Sequence, residues 1–303
     1  MSYRDHKNNK LAAFEKIAKQ FSSTGGFEED TRFWYPDVDK AGNGLAVIRF
    51  LPAFDGEDSP TIKLYKRSFQ GPTGKWYIEN DLSTIGKPDP VKDLNDRLCG
   101  GLAWAEVPKN IKDIVSKQKR KEQHISNIYV VKDPAHPENE GKVFLFRYGK
   151  KIRGMISEKM NPTFEGEERV NPFDMDEGAA LKIKIVKQDG YRNYDKSEWM
   201  TPGPIVAKKD GSPDDEAQEA IYNQIYPLAP FLAADQFGTY ESLQAKLNAV
   251  VGNAGRVQID VSDDEAEASP FKEASPRSTP SVSDDSEDEI DDAFFKQLED
   301  EDA

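Results

Sequence analysis

The stretch KVFLFRYGKKI, residues 142–152, places three aromatic rings between two lysines on one face of a predicted strand. Side chains alternate between the two faces of a strand, so every second residue of this stretch lies on the same face. We call the five residues on that face the aromatic ladder. They are Lys142, Phe144, Phe146, Tyr148 and Lys150. Val143 and Leu145 then face the core. Phe144 and Phe146 also suit an ordinary core strand with solvated lysines at its ends. The rest of the sequence is therefore needed to distinguish a core strand from a binding surface.

Further strands and three helices surround the ladder. Alternating or β-branched runs bounded by Gly, Pro and Asn turns predict strands at 44–52, 61–69, 75–79, 124–133, 142–148 and 181–188. Apolar stripes with plausible caps predict helices at 89–99, 213–227 and 239–252. The pattern indicates a mainly β fold with added helices, and the strands suit a small closed or partly closed barrel.

The net charge of −14 belongs to the C-terminal end alone. Residues 260–303 contain 17 acidic and 3 basic residues, whereas residues 1–259 contain 38 of each sign. Residues 256–303 are dominated by Ser, Pro, Asp and Glu, which predicts a disordered acidic tail. Its end carries an apolar stripe at helical spacing, predicted to dock on partner proteins. The stripe consists of Ile290, Phe294, Phe295 and Leu298.

The neutral body concentrates its basic residues in two segments, 107–124 and 142–159, with six lysines and arginines in each. Such a run is often only a solvated face. Its combination with the aromatic ladder favours a surface that binds a polyanion.

The N-terminal residues 1–21 form a basic segment with an amphipathic helix predicted at 10–21. A short basic helix next to a flexible linker can dock on its own body or on a neighbouring copy. The candidate residues for self-association are Lys7, Lys10, Leu11, Phe14 and Lys16. Residues 22–255 then form the core domain.

Catalytic motifs are missing from the sequence. No phosphate-binding loop, dinucleotide turn, zinc-protease helix or nucleophile elbow occurs, and the three histidines are not at ligand spacing. We therefore predict that the chain is not an enzyme. A single cysteine and the lack of a long apolar segment predict an intracellular protein without a disulfide framework.

Three stretches resemble the single-stranded DNA-binding, helix-destabilising proteins of T-even-type bacteriophages. They are AGNGLAVIRFLP at 41–52, GKWYIE at 74–79 and NIYVVKDPAHPENEGKVFLFRYGKKI at 127–152, and the basic run 119–121 and YRNYD at 191–195 extend the resemblance. The resemblance implies an oligonucleotide-binding (OB) barrel, a basic N-terminal segment for cooperativity, and an acidic tail that contacts replication, recombination and repair proteins. It also implies action in the cytoplasm of the infected bacterial host.

The resemblance and the ladder together give the residues expected to face single-stranded DNA. They are Arg49, Lys119, Arg120, Lys121, Phe146, Tyr148, Lys150, Lys151, Tyr191 and Tyr194. Sequence-tolerant binding needs cations along the phosphates and rings on which bases stack. A single-stranded RNA-binding protein or a structural virion protein with the same barrel remains the alternative.

The zinc site of the resembling family is predicted to be absent. Its His and three Cys ligands would fall on Ser68, Asp81, Val91 and Leu94, which do not form a zinc ligand set. We expect the helix at 89–99 to supply by burial what the metal supplies in the family. No cofactor is expected.

Overall fold

The structure is a computed structural model that describes residues 30–164, 166–188 and 191–252. These residues belong to the predicted core domain, residues 22–255. The predicted N-terminal segment 1–21 and the acidic tail 256–303 lie outside the described residues, so the predicted domain boundaries stay predictions.

The strands of the described residues form one mixed sheet. In chain order they are β1 Phe33–Trp34, β2 Gly44–Phe50, β3 Thr61–Gln70, β4 Trp76–Asn80, β5 Lys121–Lys132, β6 Val143–Tyr148, β7 Leu181–Gln188, β8 Tyr191–Asn193 and β9 Glu198–Trp199. The main path runs β1-β6-β5-β2-β7-β8, with β3 joining β5 to β4, and β9 pairing with β7. All pairings are antiparallel except that of β1 with β6.

The long strand β5 organises the sheet. Its first half pairs with β3, its second half pairs with β2, and β6 runs along its other edge. The mainly β prediction is therefore confirmed. A closed barrel is not seen, because β1 and β8 end the main path without pairing with each other in the described part of the chain.

Five α-helices accompany the sheet in the described ranges: α1 Pro90–Cys99, α2 Lys109–Lys117, α3 Lys150–Met160, α4 Asp215–Tyr222 and α5 Tyr240–Val251. Asp89 caps α1, because its carboxylate accepts hydrogen bonds from the backbone N–H groups of Val91 and Lys92. Gly100 ends the same helix with a left-handed φ of 60°. The predicted helices at 89–99, 213–227 and 239–252 are confirmed, although α4 is shorter than predicted.

Both faces of β6 are covered. Phe146 belongs to a cluster with Ile48, Phe50 and Ile128 on one face, and Leu145 belongs to a second cluster with Ile125 on the other. Burial of each such side chain contributes roughly 1.5–3 kcal/mol. The ladder strand is therefore an interior strand.

In the described ranges, none of the helices combines the length and the apolar character that a membrane crossing requires.

Candidate nucleic-acid interface

The two rings predicted to stack on bases lie in the interior. The Phe146 ring meets Trp34 edge-on, with centroids 5.3 Å apart, and only 2% of the residue is exposed. The Tyr148 ring packs against Phe50, and its buried hydroxyl lies 2.9 Å from the Ser126 Oγ atom. The sequence pattern predicted that this face of β6 is exposed to solvent. In the structure, Trp34 of β1 and Phe50 of β2 cover it. Contact of Phe146 with DNA stays a prediction that its placement does not favour.

Arg49 is also buried, with 3% of the residue exposed. Its guanidinium donates hydrogen bonds to the backbone carbonyls of Gly178 and Asp174. Burial lowers the pKa of Arg49 to about 10, so the group remains charged at neutral pH. In this arrangement Arg49 ties β2 to the loop before β7, and its solvent contact is too small for a phosphate.

The basic run 119–121 lies where the segment after α2 enters β5. Lys119 and Arg120 are exposed, and Lys121 begins the strand opposite Lys66. The Arg120 guanidinium lies over the Tyr65 ring, with its central carbon 3.9 Å from the ring centroid. Arg120, one of the predicted DNA-binding cations, thus makes a cation–π contact with Tyr65.

A second cation joins the same ring. The Lys63 Nζ atom lies 5.1 Å from the Tyr65 centroid, and Lys63 and Tyr65 share one face of β3 because they are two residues apart. Cations over an aromatic face are attracted by its quadrupole. Lys63, Tyr65 and Arg120 therefore form one cationic-aromatic cluster.

A cleft of about 400 Å³ lies farther along β3, at the first residue of the strand. Its lining includes Thr61 at the start of β3, Tyr148 at the end of β6, and the half-buried Arg153 on α3. The sheet register connects the two features, since Lys63 lies opposite His124 and His124 lies opposite Tyr148. We call this surface the basic cleft, defined by Lys63, Tyr65, Arg120, Tyr148 and Arg153.

His124 lies on β5 between Lys63 of β3 and Tyr148 of β6. It is buried, its ring stacks on Tyr148 at 5.6 Å, and its Nε2 atom lies 2.9 Å from the Glu122 carboxylate. Burial lowers the pKa of His124, and the charges of Arg153 and Lys63 lower it further against the opposing effect of Glu122. A neutral histidine therefore lies close to Lys63 and Arg153 at neutral pH.

The remaining predicted residues lie around the start of α3 and β8. Lys150 and Lys151 are exposed in the first turn of α3, because Gly149 ends the ladder strand and precedes the helix. The predicted strand position of Lys150 is therefore wrong. Lys151 forms an ion pair with Asp195, which brings the 191–195 segment to α3. Tyr191 is exposed on β8, whereas Tyr194 is half-buried against the core.

Three residues of the basic cleft were missed in the sequence: Lys63, Tyr65 and Arg153. The stretch TIKLYKRSF at 61–69 places Lys63 and Tyr65 on one strand face, which is the same kind of signal as the ladder. Arg153 was not predicted as a site residue, because no helix was predicted over 150–160. A three-residue spacing from Lys150 on such a helix would have indicated it.

The zinc site implied by the resemblance does not fit these residues. Val91 and Leu94 are buried in an apolar cluster with Phe69, Tyr77 and Leu247, and they carry no donor atoms. Asp81, at a third ligand position, forms an ion pair with Arg67. Among the described residues, no three His, Cys, Asp or Glu side chains are grouped as metal ligands.

The residues predicted for self-association and for partner docking lie outside the described part of the chain, at 7–16 and 290–298. Their predicted roles stay predictions.

Comparison with known proteins identifies the family. The family described as gp32 DNA binding protein like matches residues 42–251. The chain is 37% identical over 242 residues to the single-stranded DNA-binding protein of Enterobacteria phage T2, covering 79% of this chain and 76% of that protein. The protein of the same name from Enterobacteria phage T4 is 36% identical over 241 residues, with the same coverage. These names describe DNA binding and no reaction, which agrees with the prediction of a non-enzymatic protein. The resemblance found in the sequence is thus confirmed, and the chain belongs to the gp32-like family of phage DNA-binding proteins.

Proposed function

We propose that this protein binds single-stranded DNA without sequence preference in the basic cleft. The observation that carries the proposal is that β3 connects two basic features, the cluster of Lys63 and Arg120 over the Tyr65 ring and the cleft that Thr61 and Arg153 line. Membership of the gp32-like family supports the choice of DNA as the ligand.

The chemistry of the basic cleft suits a single strand. Lys63, Arg120 and Arg153 can each neutralise a phosphate, and neutralised phosphates release counterions, which favours binding at low salt. Because Arg120 covers the Tyr65 ring, a base can stack on the planar guanidinium of Arg120, whatever the identity of the base. A protein that binds only the single strand also melts hairpins by mass action.

Within this proposal the protein coats and protects single strands inside the infected host cell during DNA replication, recombination and repair. The N-terminal segment supplies cooperative contacts between copies, and the acidic tail recruits partner proteins and competes with DNA for the cations. We further propose that the sheet around β5 corresponds to an OB barrel in an open form. No resident zinc is required, because burial and ion pairs hold the α1 region.

The experiment is a fluorescence titration of the full chain with oligo-dT. We expect quenching of the tyrosine and tryptophan emission, with an affinity that falls steeply as salt rises. No response to any oligonucleotide would contradict the proposal and would favour a structural virion protein. Preferential binding of a matched ribo-oligonucleotide would favour the RNA-binding alternative.

A further inference from the structure

A buried ion cluster lies directly behind Arg120. The Arg67 Nε atom is 2.7 Å from an oxygen of Asp81 and 3.1 Å from an oxygen of Asp89. Each of the three residues is at most 5% exposed. The same guanidinium donates a hydrogen bond to the backbone carbonyl of Gln118, two residues before Arg120. The cluster therefore joins β3, the turn at 81–85, the start of α1 and the entry to β5.

The cluster reaches the surface through Ser83. Asp81 accepts hydrogen bonds from both the backbone N–H group and the hydroxyl of Ser83. The Ser83 hydroxyl oxygen in turn accepts a hydrogen bond from the Arg120 guanidinium. The turn itself is fixed to β3, because the Tyr65 N–H group donates to the Thr84 hydroxyl at 2.9 Å and the Asp81 N–H group donates to the Tyr65 carbonyl. Arg120 and the ring beneath it are thus held by the same turn.

We propose that Ser83, fixed by the buried Arg67, Asp81 and Asp89 cluster, is a positioning residue that holds the Arg120 guanidinium over Tyr65 for contact with a single strand. This inference rests on the proposed function, since it assigns a means of preorganisation to the same cleft.

The physical reason is the entropy of a long side chain. An exposed arginine samples many rotamers, and binding has to immobilise it at a cost that lowers affinity. The Ser83 hydroxyl fixes one end of the guanidinium, while the remaining N–H groups stay available for a phosphate. Asp81 strengthens this arrangement, because a carboxylate that accepts a hydrogen bond from the Ser83 hydroxyl orients the hydroxyl oxygen toward Arg120.

The test uses the full chain and its affinity for oligo-dT at fixed salt. Ser83→Ala is expected to weaken binding by about three- to tenfold, the loss that follows from releasing one ordered side chain. Ser83→Thr keeps the hydroxyl and is expected to bind like the wild type. In an Arg120→Ala background, Ser83→Ala should cause no further loss, because the group it positions is gone.

Ser242→Ala is a matched control, since the exposed Ser242 also donates a hydroxyl hydrogen bond, to the Thr239 carbonyl at the start of α5. It should leave DNA affinity unchanged. Wild-type affinity in Ser83→Ala, or full additivity of the Ser83 and Arg120 substitutions, would overturn the positioning role.

A measurement without DNA separates this inference from the proposed function. In the free protein, the Arg120 side-chain protons should show the NMR ring-current shift of a group above Tyr65, and Ser83→Ala should abolish that shift. An unchanged shift in Ser83→Ala would contradict the inference even if the wild type binds oligo-dT tightly. The expected loss of the shift would uphold the geometry even if the wild type failed to bind DNA.

Discussion

Burial distinguishes the arginines of this chain, because only an exposed guanidinium can meet a phosphate. Arg49 and Arg67 are buried and use their N–H groups on carbonyls and carboxylates of the same chain. Arg120 is exposed and Arg153 is half-buried beside the cleft. The sequence presents all four as basic residues near aromatic rings, so burial, which depends on the tertiary fold, decides their roles.

Arg49→Met tests this distinction. The change removes the donors of two carbonyl groups, those of Gly178 and Asp174, and should lower the free energy of unfolding by about 1–3 kcal/mol. The affinity of the folded protein for oligo-dT should stay unchanged. Arg153→Met is the matched variant, with weaker DNA binding and little loss of stability expected. Weaker DNA binding by Arg49→Met at unchanged stability would restore the original prediction for Arg49.

The surroundings of His124 predict that the stability of the protein depends on pH. Its pKa is lowered in the folded protein by burial and by Arg153 and Lys63, with Glu122 opposing. The unfolded chain therefore takes up a proton at higher pH than the folded protein does, and stability falls as the pH drops below about 6.5. The loss in the free energy of unfolding approaches about 1.4 kcal/mol for each unit by which folding lowers the pKa of His124.

Urea unfolding of the wild type and of His124→Gln at pH 7.5 and 5.5 measures this effect. The wild type should lose more stability on acidification than the variant, and the other titrating groups cancel in the difference. Equal losses in the two proteins would show that His124 is not held neutral by its surroundings.

The elements of the sheet were largely predictable from the sequence, whereas two helices were not. Strands such as β2 and β7 carry strong β-branched or alternating patterns with clear turns, and α1 carries an Asp cap, Pro at its first position and Gly after its end. Helices α2 and α3 are rich in lysine and lack a side-chain cap. Their basic residues therefore resemble parts of charged surface segments, and the sequence carries no clear signal for where either helix begins.

The α1 region predicts insensitivity to chelators. Leu94 is buried against the apolar cluster of Phe69, Tyr77 and Leu247. Leu94→Ala should therefore lower the free energy of unfolding, measured by urea denaturation, by about 2–5 kcal/mol. Treatment with EDTA should leave the thermal midpoint of the wild type unchanged. A large drop in that midpoint, together with one equivalent of zinc in the purified protein, would show that a metal holds this region.

Across the whole molecule, the charge is divided between a neutral body and an acidic tail. This division was readable from the sequence because composition is local. The location of the cleft was not, because Lys63, Arg120 and Arg153 come from three separate segments that only the β3-β5-β6 pairing brings together.

The tail predicts competition with DNA. Residues 260–303 carry a net charge of −14 and belong to the same chain as the basic cleft, so we expect them to compete at a high effective concentration. Deletion of residues 256–303 should tighten oligo-dT binding at low salt, and the difference should shrink as salt screens the charges. Equal affinity of the two proteins at low salt would count against competition.

The most direct test of the basic cleft is the salt dependence of oligo-dT binding by the wild type and by a variant that combines Lys63→Gln, Arg120→Gln and Arg153→Gln. The account predicts that the variant unfolds at nearly the wild-type temperature, binds much more weakly, and loses about two units from the slope of log affinity against log salt. A folded variant that binds with the wild-type affinity and slope would show that the single strand lies elsewhere on the protein.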